Sequence, residues 1–286
     1  MSLTFKESSH RYTLDGQHVT GVTTIIKGGI PAPALVWWSG GVVAKWAMDP
    51  TNDGKLAELK AGEVEAGVKF LQMLPNRERD EAGENGTAVH DMAERLIQDG
   101  TVKIPAEFAH LASHVEGYAD FLDAWQITPV LVERILANRK HWYSGKFDLY
   151  ATSPLLMSQA DIAAGKVVQI DLKTSKGVYG ETALQTAAYA RAEFYMDDHG
   201  NESPLPEVVK TFVAHVTPNE RESEVGKRYE GWPLGTSLYQ LAGSPAEIDQ
   251  HFEMFLHAKA VKDDAKARDS IIGEPLQLPA IQDVAA

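Results

Sequence analysis

Short stretches in which apolar and polar residues alternate recur along the chain, and this period of two is typical of strands with one buried face. In the clearest example, residues 167–173 read Val-Val-Gln-Ile-Asp-Leu-Lys, so Gln169, Asp171 and Lys173 share one face. Core burial explains the apolar face but not the charged one, because buried charge is costly without a partner or a metal. The pattern predicts strands over 130–136, 141–151, 167–173 and 208–216.

The first fifty residues predict a hairpin followed by a helix. Strands over 11–14 and 18–20 flank Asp15-Gly16, a dipeptide that suits a tight turn. A β-branched run follows at 22–26. Residues 34–48 carry apolar positions near helical spacing, although Gly40-Gly41 lowers their helix propensity.

Apolar positions with a period near 3.6 predict the other helices. These helices cover 53–73, 87–98, 107–125, 181–196 and 245–267. In the helix at 87–98, His90 and Glu94 lie four residues apart on the flank of an apolar stripe. A polar segment at 75–85 precedes this helix, and residues 153–165 indicate an inserted loop or short helix. The last residues, with Pro275 and Pro279, are expected to be extended or frayed.

The order of helix, three strands, helix and strand from 107 to 216 predicts a compact α/β unit. We expect an N-terminal hairpin and helical extension over 1–85, a core over 86–268 and a tail over 269–286, packed as a single globular unit.

Composition sets limits on the class of protein. A chain of 286 residues, 44% of them hydrophobic, can bury a substantial core. It has no apolar run long enough for a transmembrane helix, and residues 1–6 lack a signal-peptide pattern, so a cytoplasmic protein is expected. The absence of cysteine excludes disulfides, thiolate zinc sites and cysteine-ligated iron–sulfur clusters.

The net charge of −13 argues against indiscriminate nucleic-acid binding, which normally needs a basic surface. The charge is unevenly distributed, however. Residues 131–180 contain seven Lys/Arg and four Asp/Glu, a local balance of +3 that leaves −16 for the rest. This distribution is compatible with binding DNA at one site.

Five short motifs carry candidate chemistry. They are Gly86-Thr87-Ala88-Val89-His90, Glu133 within Leu131-Val132-Glu133, Gly145-Lys146-Phe147-Asp148, Asp171-Leu172-Lys173-Thr174, and Gln185 with Tyr189 in Gln185-Thr186-Ala187-Ala188-Tyr189-Ala190. Each of these motifs alone is common in unrelated proteins. Together, in this order and approximate spacing, they resemble the PD-(D/E)XK nuclease superfamily, and within it the RecB-like branch that includes CRISPR-associated and phage exonucleases. Segments His10-Arg11-Tyr12 and Val22-Thr23-Thr24-Ile25 resemble phage-encoded members more loosely.

The resemblance implies a restriction-endonuclease-like core, with a mixed central sheet flanked by helices. It implies Mg²⁺ or Mn²⁺ held by Asp148, Asp171, the Leu172 carbonyl and His90, ligands that suit such cations. Glu133 either completes a second metal site or contacts Lys173.

The resemblance also implies roles around the metal. Lys173 would orient or deprotonate the attacking water, or stabilise charge on the phosphate. Gln185 would hold Lys173 or that water, and Tyr189 would pack or hydrogen-bond near a phosphate. DNA contacts are expected from Thr174, Ser175, Lys176 and Lys146. Asp91 and Glu94 are expected to be solvated helix residues.

Three functions remain open at this stage. The first is a metal-dependent exonuclease that degrades linear DNA in phage or bacterial recombination, replication or repair, in the host cytoplasm, with a single-strand-annealing or recombination protein as a further partner. The second is a non-catalytic protein that binds DNA ends or a recombination partner, and the third is a structure-specific endonuclease. Intact Asp148, Asp171 and Lys173 favour catalysis over binding alone. Trp37, Trp38 and Trp46 can stack on unpaired bases, although packing in the core is the more ordinary interpretation.

Overall fold

The computed structural model describes residues 3–220, 229 and 231–276, which form a mixed α/β fold with a curled mixed sheet. The strands are β1 Leu3–Lys6, β2 Arg11–Leu14, β3 Gln17–Gly21, β4 Thr128–Asn138, β5 Tyr143–Thr152, β6 Val167–Lys173, β7 Phe194–Met196, β8 Glu202–Pro204, β9 Val208–Val216 and β10 Thr236–Ala242. The helices are α1 Val22–Gly29, α2 Ala34–Met48, α3 Asp53–Ala61, α4 Val64–Asp99, α5 Ala112–Ala124, α6 Gln159–Ala163, α7 Glu181–Ala190, α8 Pro245–Asp263 and α9 Ala265–Asp269. Short 3₁₀ helices cover Glu7–Ser9, Pro50–Asn52 and Ala106–Leu111.

Strand β5 lies at the centre of the sheet and changes its partner along one edge. Its start pairs in parallel with β3 at Tyr143 and Ser144, whereas its end pairs antiparallel with β6 at Leu149, Tyr150 and Ala151. The other edge pairs antiparallel with β4, which continues to β7 and β8, and β6 continues to β9 and β10. The β5 residues between the two partners therefore lie where the sheet opens.

Helices cover both faces of this sheet. On one face, α4 and α5 bury Val89, Met92 and Tyr118 against β5, β6 and β9. On the other face, α1, α7 and α8 bury Ile25, Ala188 and Phe255 against the opposite side of the strands. Among the described residues, no helix is both long and apolar enough to cross a lipid bilayer.

Several predicted elements are confirmed. The hairpin forms with Leu14 opposite Gln17, and Asp15 and Gly16 take the positive φ angles of 51° and 80° that a tight turn requires. Helix α2 and strands β6 and β9 have the predicted bounds, and α6 lies in the predicted insertion. The β-branched run at 22–26 is helical, because Val22, Ile25 and Ile26 bury one face of α1.

The predicted break between helices at 75–85 is wrong. Helix α4 runs from Val64 to Asp99 as one element, and Pro75 lies buried within it beside Leu74. The polar residues expected to form a connecting segment are instead the solvent-facing side of this helix, and many are good helix formers. Helix α4 thus continues across residue 85, where the N-terminal extension was expected to end.

Three further helices are shorter than predicted. Helix α7 ends at Ala190 rather than 196, and Phe194 and Met196 are buried in β7, which pairs with β4. The helix predicted over 107–125 begins as a 3₁₀ helix before α5, and that over 245–267 divides into α8 and α9. The tail around Pro275 has neither helix nor strand up to residue 276, and Pro279 lies outside the described residues.

The interpretation of the tryptophans as core residues is wrong for two of them, Trp37 and Trp38, which are both exposed. Helix α2 has no buried residue, and Trp37 is 84% exposed. Trp46 is partly buried and packs on Phe70 of α4, with ring centroids 5.3 Å apart. Base stacking by Trp37 stays a prediction.

Candidate active site

The five sequence motifs converge where β5 and β6 separate. His90 projects from α4, Glu133 from β4, Asp148 from β5, and the charged pair from β6, with two side chains of α7 beside it. Hydrogen bonds and ion pairs join these groups, among them Leu172–Asp148, Lys146–Glu133, Lys173–Asp171, Gln185–Asp171 and Gln185–Tyr189.

His90, Glu133 and Asp148 form a cluster that can hold a metal ion. One ligand atom from each lies within 4.8 Å of the other two. The Nδ1 atom of His90 is 3.6 Å from Glu133 Oε1 and 3.5 Å from Asp148 Oδ1. Two hard carboxylate oxygens and one imidazole nitrogen form a donor set that suits Mg²⁺ or, because of the nitrogen, Mn²⁺.

Glu133 has an unusual backbone conformation for a strand residue. Its φ is +51°, and its neighbours Val132 and Arg134 pair with Leu149 and Phe147, which flank Asp148. A left-handed conformation at a residue with a side chain costs about 1–3 kcal/mol and tends to occur at functional sites. The strained backbone places the Glu133 carboxylate next to Asp148.

Asp171 and Lys173 make the second part of the site. Asp171 is 1% exposed, and its Oδ2 atom lies 2.6 Å from Lys173 Nζ. Its Oδ1 atom accepts a hydrogen bond of 3.0 Å from Gln185 Nε2, and this amide is also 3.3 Å from the Tyr189 hydroxyl. Thus Gln185 contacts the acid that holds Lys173.

A side-chain bond closes the gap between β5 and β6. Asp148 Oδ2 accepts a 2.6 Å hydrogen bond from the backbone N–H of Leu172, beyond the last backbone pair of the two strands at Leu149 and Ile170. This bond places Asp148 next to Asp171 and Lys173. The opening between the strands is therefore lined by carboxylates.

Two motif glycines allow close approaches. A Cβ added at Gly145 would lie 2.4 Å from Tyr189 Cε1, so the ring of α7 packs directly on the β5 backbone. A Cβ at Gly86 would lie 3.1 Å from Thr174 Oγ1, so α4 approaches the loop after β6 closely. The glycines bring α7 and α4 near the site.

Burial and mutual charge shift the ionisation of these groups. Burial raises the pKa of Asp171 to about 6, although Lys173 opposes the shift. Burial likewise raises the pKa of Asp148. Burial by itself lowers the pKa of His90 and of Lys173, but Asp148 and Glu133 beside the histidine and Asp171 beside the lysine outweigh it, so both pKa values are raised.

The remaining predicted residues lie near the site in different settings. Lys146, predicted to contact DNA, pairs with Glu133 at 2.6 Å and is 38% exposed. Ser175 and Lys176 are exposed, whereas Thr174 is partly buried. Glu94 accepts a hydrogen bond from Gln98 on the flank of α4.

The sequence motifs missed contributions from the N-terminal hairpin. Burial, and to a smaller degree the Glu133 carboxylate, raises the pKa of Tyr12 on β2 to about 12. A cleft of about 780 Å³ beside α4 is lined in part by His10, Lys27 and Arg79. His10 and Tyr12 belong to the loosely matching segment His10-Arg11-Tyr12, to which no role was assigned, because their place depends on how the hairpin and α1 pack against α4.

Fold and site together define a mixed α/β protein with a candidate metal cluster beside a buried acid–lysine pair. No protein-family model matches the chain, and no curated protein matches it significantly.

Proposed function

We propose that the chain is a metal-dependent deoxyribonuclease of the PD-(D/E)XK superfamily, RecB-like branch, which hydrolyses phosphodiester bonds of linear DNA in phage or bacterial recombination, replication or repair. One observation carries the proposal. The Asp171–Lys173 pair lies beside the cluster of His90, Glu133 and Asp148, at the opening between β5 and β6. Acids that can hold a divalent cation next to a lysine are groups that can carry out metal-assisted phosphodiester hydrolysis.

The donor atoms fit a divalent cation held by His90, Glu133 and Asp148, with Asp171 and the Leu172 carbonyl as further ligands by resemblance. When bound, the cation would polarise the scissile phosphate and lower the pKa of a water. Lys146 forms an ion pair with Glu133 Oε2. This lysine would therefore hold the carboxylate in place while the other oxygen binds the cation.

Lys173 supplies positive charge next to the cluster. Asp171 restricts the position of the lysine, because the ammonium lies on its Oδ2 atom. Gln185 in turn holds Asp171 through a hydrogen bond to the Oδ1 atom. An ammonium group donates three hydrogen bonds and can stabilise charge that develops on the phosphate. Tyr189 packs on Gly145 and holds Gln185 from the other side.

The test is degradation of end-labelled linear DNA, single- and double-stranded, with Mg²⁺ or Mn²⁺. We expect wild-type protein to degrade it, and Lys173→Ala and Asp171→Ala to lose activity by roughly a hundredfold or more. Lys166→Ala is the matched control, because this lysine precedes the same strand and pairs with Asp161 and Glu207 outside the site.

If wild-type protein leaves both DNA forms intact in both metals, the proposal is wrong. Binding of DNA ends under those conditions would then favour the non-catalytic alternative. Cleavage of covalently closed circular DNA would instead indicate an endonuclease.

Metal binding gives an independent measurement. Binding of Mn²⁺, followed by electron paramagnetic resonance, should be weakened roughly tenfold or more by Glu133→Gln and His90→Ala. Glu207→Gln, outside the site, should bind Mn²⁺ as the wild type does. Equal affinity in all four proteins would contradict the assignment of this cluster.

A further inference from the structure

The loop that follows Lys173, residues 174–177, is held by side chains from outside its own strand. His215 of β9 is fully buried and lies opposite Lys173 in the parallel register of β6 and β9. Its Nε2 atom is 2.8 Å from the carbonyl oxygen of Ser175. Because a carbonyl only accepts, the Nε2 atom must carry the hydrogen and donate.

Tyr229 holds the preceding peptide. Its hydroxyl donates a 2.7 Å hydrogen bond to the Thr174 carbonyl oxygen, and its ring lies 6.0 Å from that of His215. At the end of the loop, a Cβ on Gly177 would lie 2.5 Å from Trp232 Cζ2, so the indole packs directly on the backbone. Two successive carbonyls are thus turned toward one aromatic cluster.

The direction of the carbonyls sets the direction of the amides. In a trans peptide, the N–H of each residue points opposite to the preceding carbonyl, and the described chain has no cis peptide. The N–H groups of Ser175 and Lys176 therefore point away from Tyr229 and His215. Within the described part of the chain, neither amide has a hydrogen-bond acceptor.

The side chains of Ser175 and Lys176 also leave the two amides open to a ligand. The Ser175 hydroxyl donates to the Gly177 carbonyl at 2.7 Å, so its hydrogen stabilises the loop rather than facing a ligand. Lys176 is exposed, and no ion pair involves it among the described residues. Adjacent backbone N–H groups in a turn can bind an anion, and an exposed ammonium on the same loop adds positive charge.

We propose that His215 and Tyr229 are positioning residues, which hold the loop so that the amides of Ser175 and Lys176, with the Lys176 ammonium, bind one phosphate group of the DNA strand. The inference rests on the proposed function for the identity of the ligand. It changes the predicted role of Ser175 from a hydroxyl contact to a backbone contact.

Amide resonances of the intact chain, followed by NMR while a short oligodeoxynucleotide is added without divalent metal, test the site directly. We expect the Ser175 and Lys176 amides to shift in the wild type. Tyr229→Phe, which removes a single hydroxyl, should weaken the binding that these shifts report by roughly three- to tenfold. Tyr239→Phe is the matched control, since this ring also lies near His215, at 6.4 Å between centroids, and its hydroxyl makes no hydrogen bond to the loop among the described residues.

Kinetics provide the second measurement. Tyr229→Phe should raise KM for DNA by a similar factor with little change in kcat, and His215→Gln, which keeps an N–H donor, should retain more affinity than His215→Leu. Thermal unfolding of each variant identifies any that fail to fold.

Amides that do not respond to the oligonucleotide, or a Tyr229→Phe variant that matches the wild type, would overturn this inference while leaving the nuclease proposal intact. A different result is possible: the amides shift, Tyr229→Phe weakens the binding as expected, and the wild type has no nuclease activity. That result would support the phosphate site and refute the enzymatic proposal.

Discussion

Replacing Gly145 by alanine should destabilise the protein through the Tyr189 ring. The added Cβ would lie 2.4 Å from Tyr189 Cε1, whereas carbon atoms pack favourably at about 3.5–4.0 Å. The ring is 3% exposed and has little space to move, so we expect a loss of about 1–3 kcal/mol in the free energy of unfolding. Urea denaturation followed by tryptophan fluorescence measures this loss.

Gly83→Ala is the matched control for this substitution. A Cβ there would meet nothing within 4 Å, and the residue lies inside α4, so alanine should stabilise the protein by about 0.5–1 kcal/mol. A double-mutant cycle with Tyr189→Leu then isolates the contact, because Gly145→Ala should cost less in that background. The Gly145→Ala variant could have the same urea midpoint as the wild type, or the substitution could cost the same free energy with and without Tyr189→Leu. Either result would refute the direct packing of the α7 ring on β5.

Two other expectations concern acid stability and single-strand binding. Burial, with a smaller contribution from His110, lowers the pKa of His114 to about 4, below its unfolded value of 6.5. Protonation therefore favours unfolding. The contribution of neutral His114 to the free energy of unfolding is complete above about pH 6.5 and is lost as the pH falls toward 4. At pH 5 the loss is about 2 kcal/mol. Between pH 7.5 and 5, the urea concentration at the unfolding midpoint should fall less for His114→Gln than for the wild type. An equal fall in both proteins would refute the role of His114 in acid stability. Trp37→Ala should weaken binding of oligothymidine roughly five- to a hundredfold if this exposed ring stacks on bases. Met48→Ala, equally exposed on the same helix, should not weaken binding, and unchanged affinity in the tryptophan variant would exclude stacking.

Local patterns predicted much of the secondary structure because each depends on neighbouring side chains. The alternation around Asp171 defined β6, and Asp15-Gly16 defined the hairpin turn. The same reasoning failed at Pro75, where burial against neighbouring elements carries α4 through a residue that usually ends a helix. It also failed at Phe194, because pairing with β4 outweighs a continuing helical pattern.

The sequence by itself determined the kinds of groups available to the site: the Asp-Leu-Lys strand, the Gly-x-x-Asp strand, a histidine helix and the absence of cysteine. Only the tertiary structure decided which of them meet. It joined Glu133 to His90 and Lys146, and it turned the loop after Lys173 onto His215 and Tyr229. The physical reason is that side-chain periodicity is encoded between neighbours in sequence, whereas contacts between distant segments follow from how the helices pack on a curled sheet.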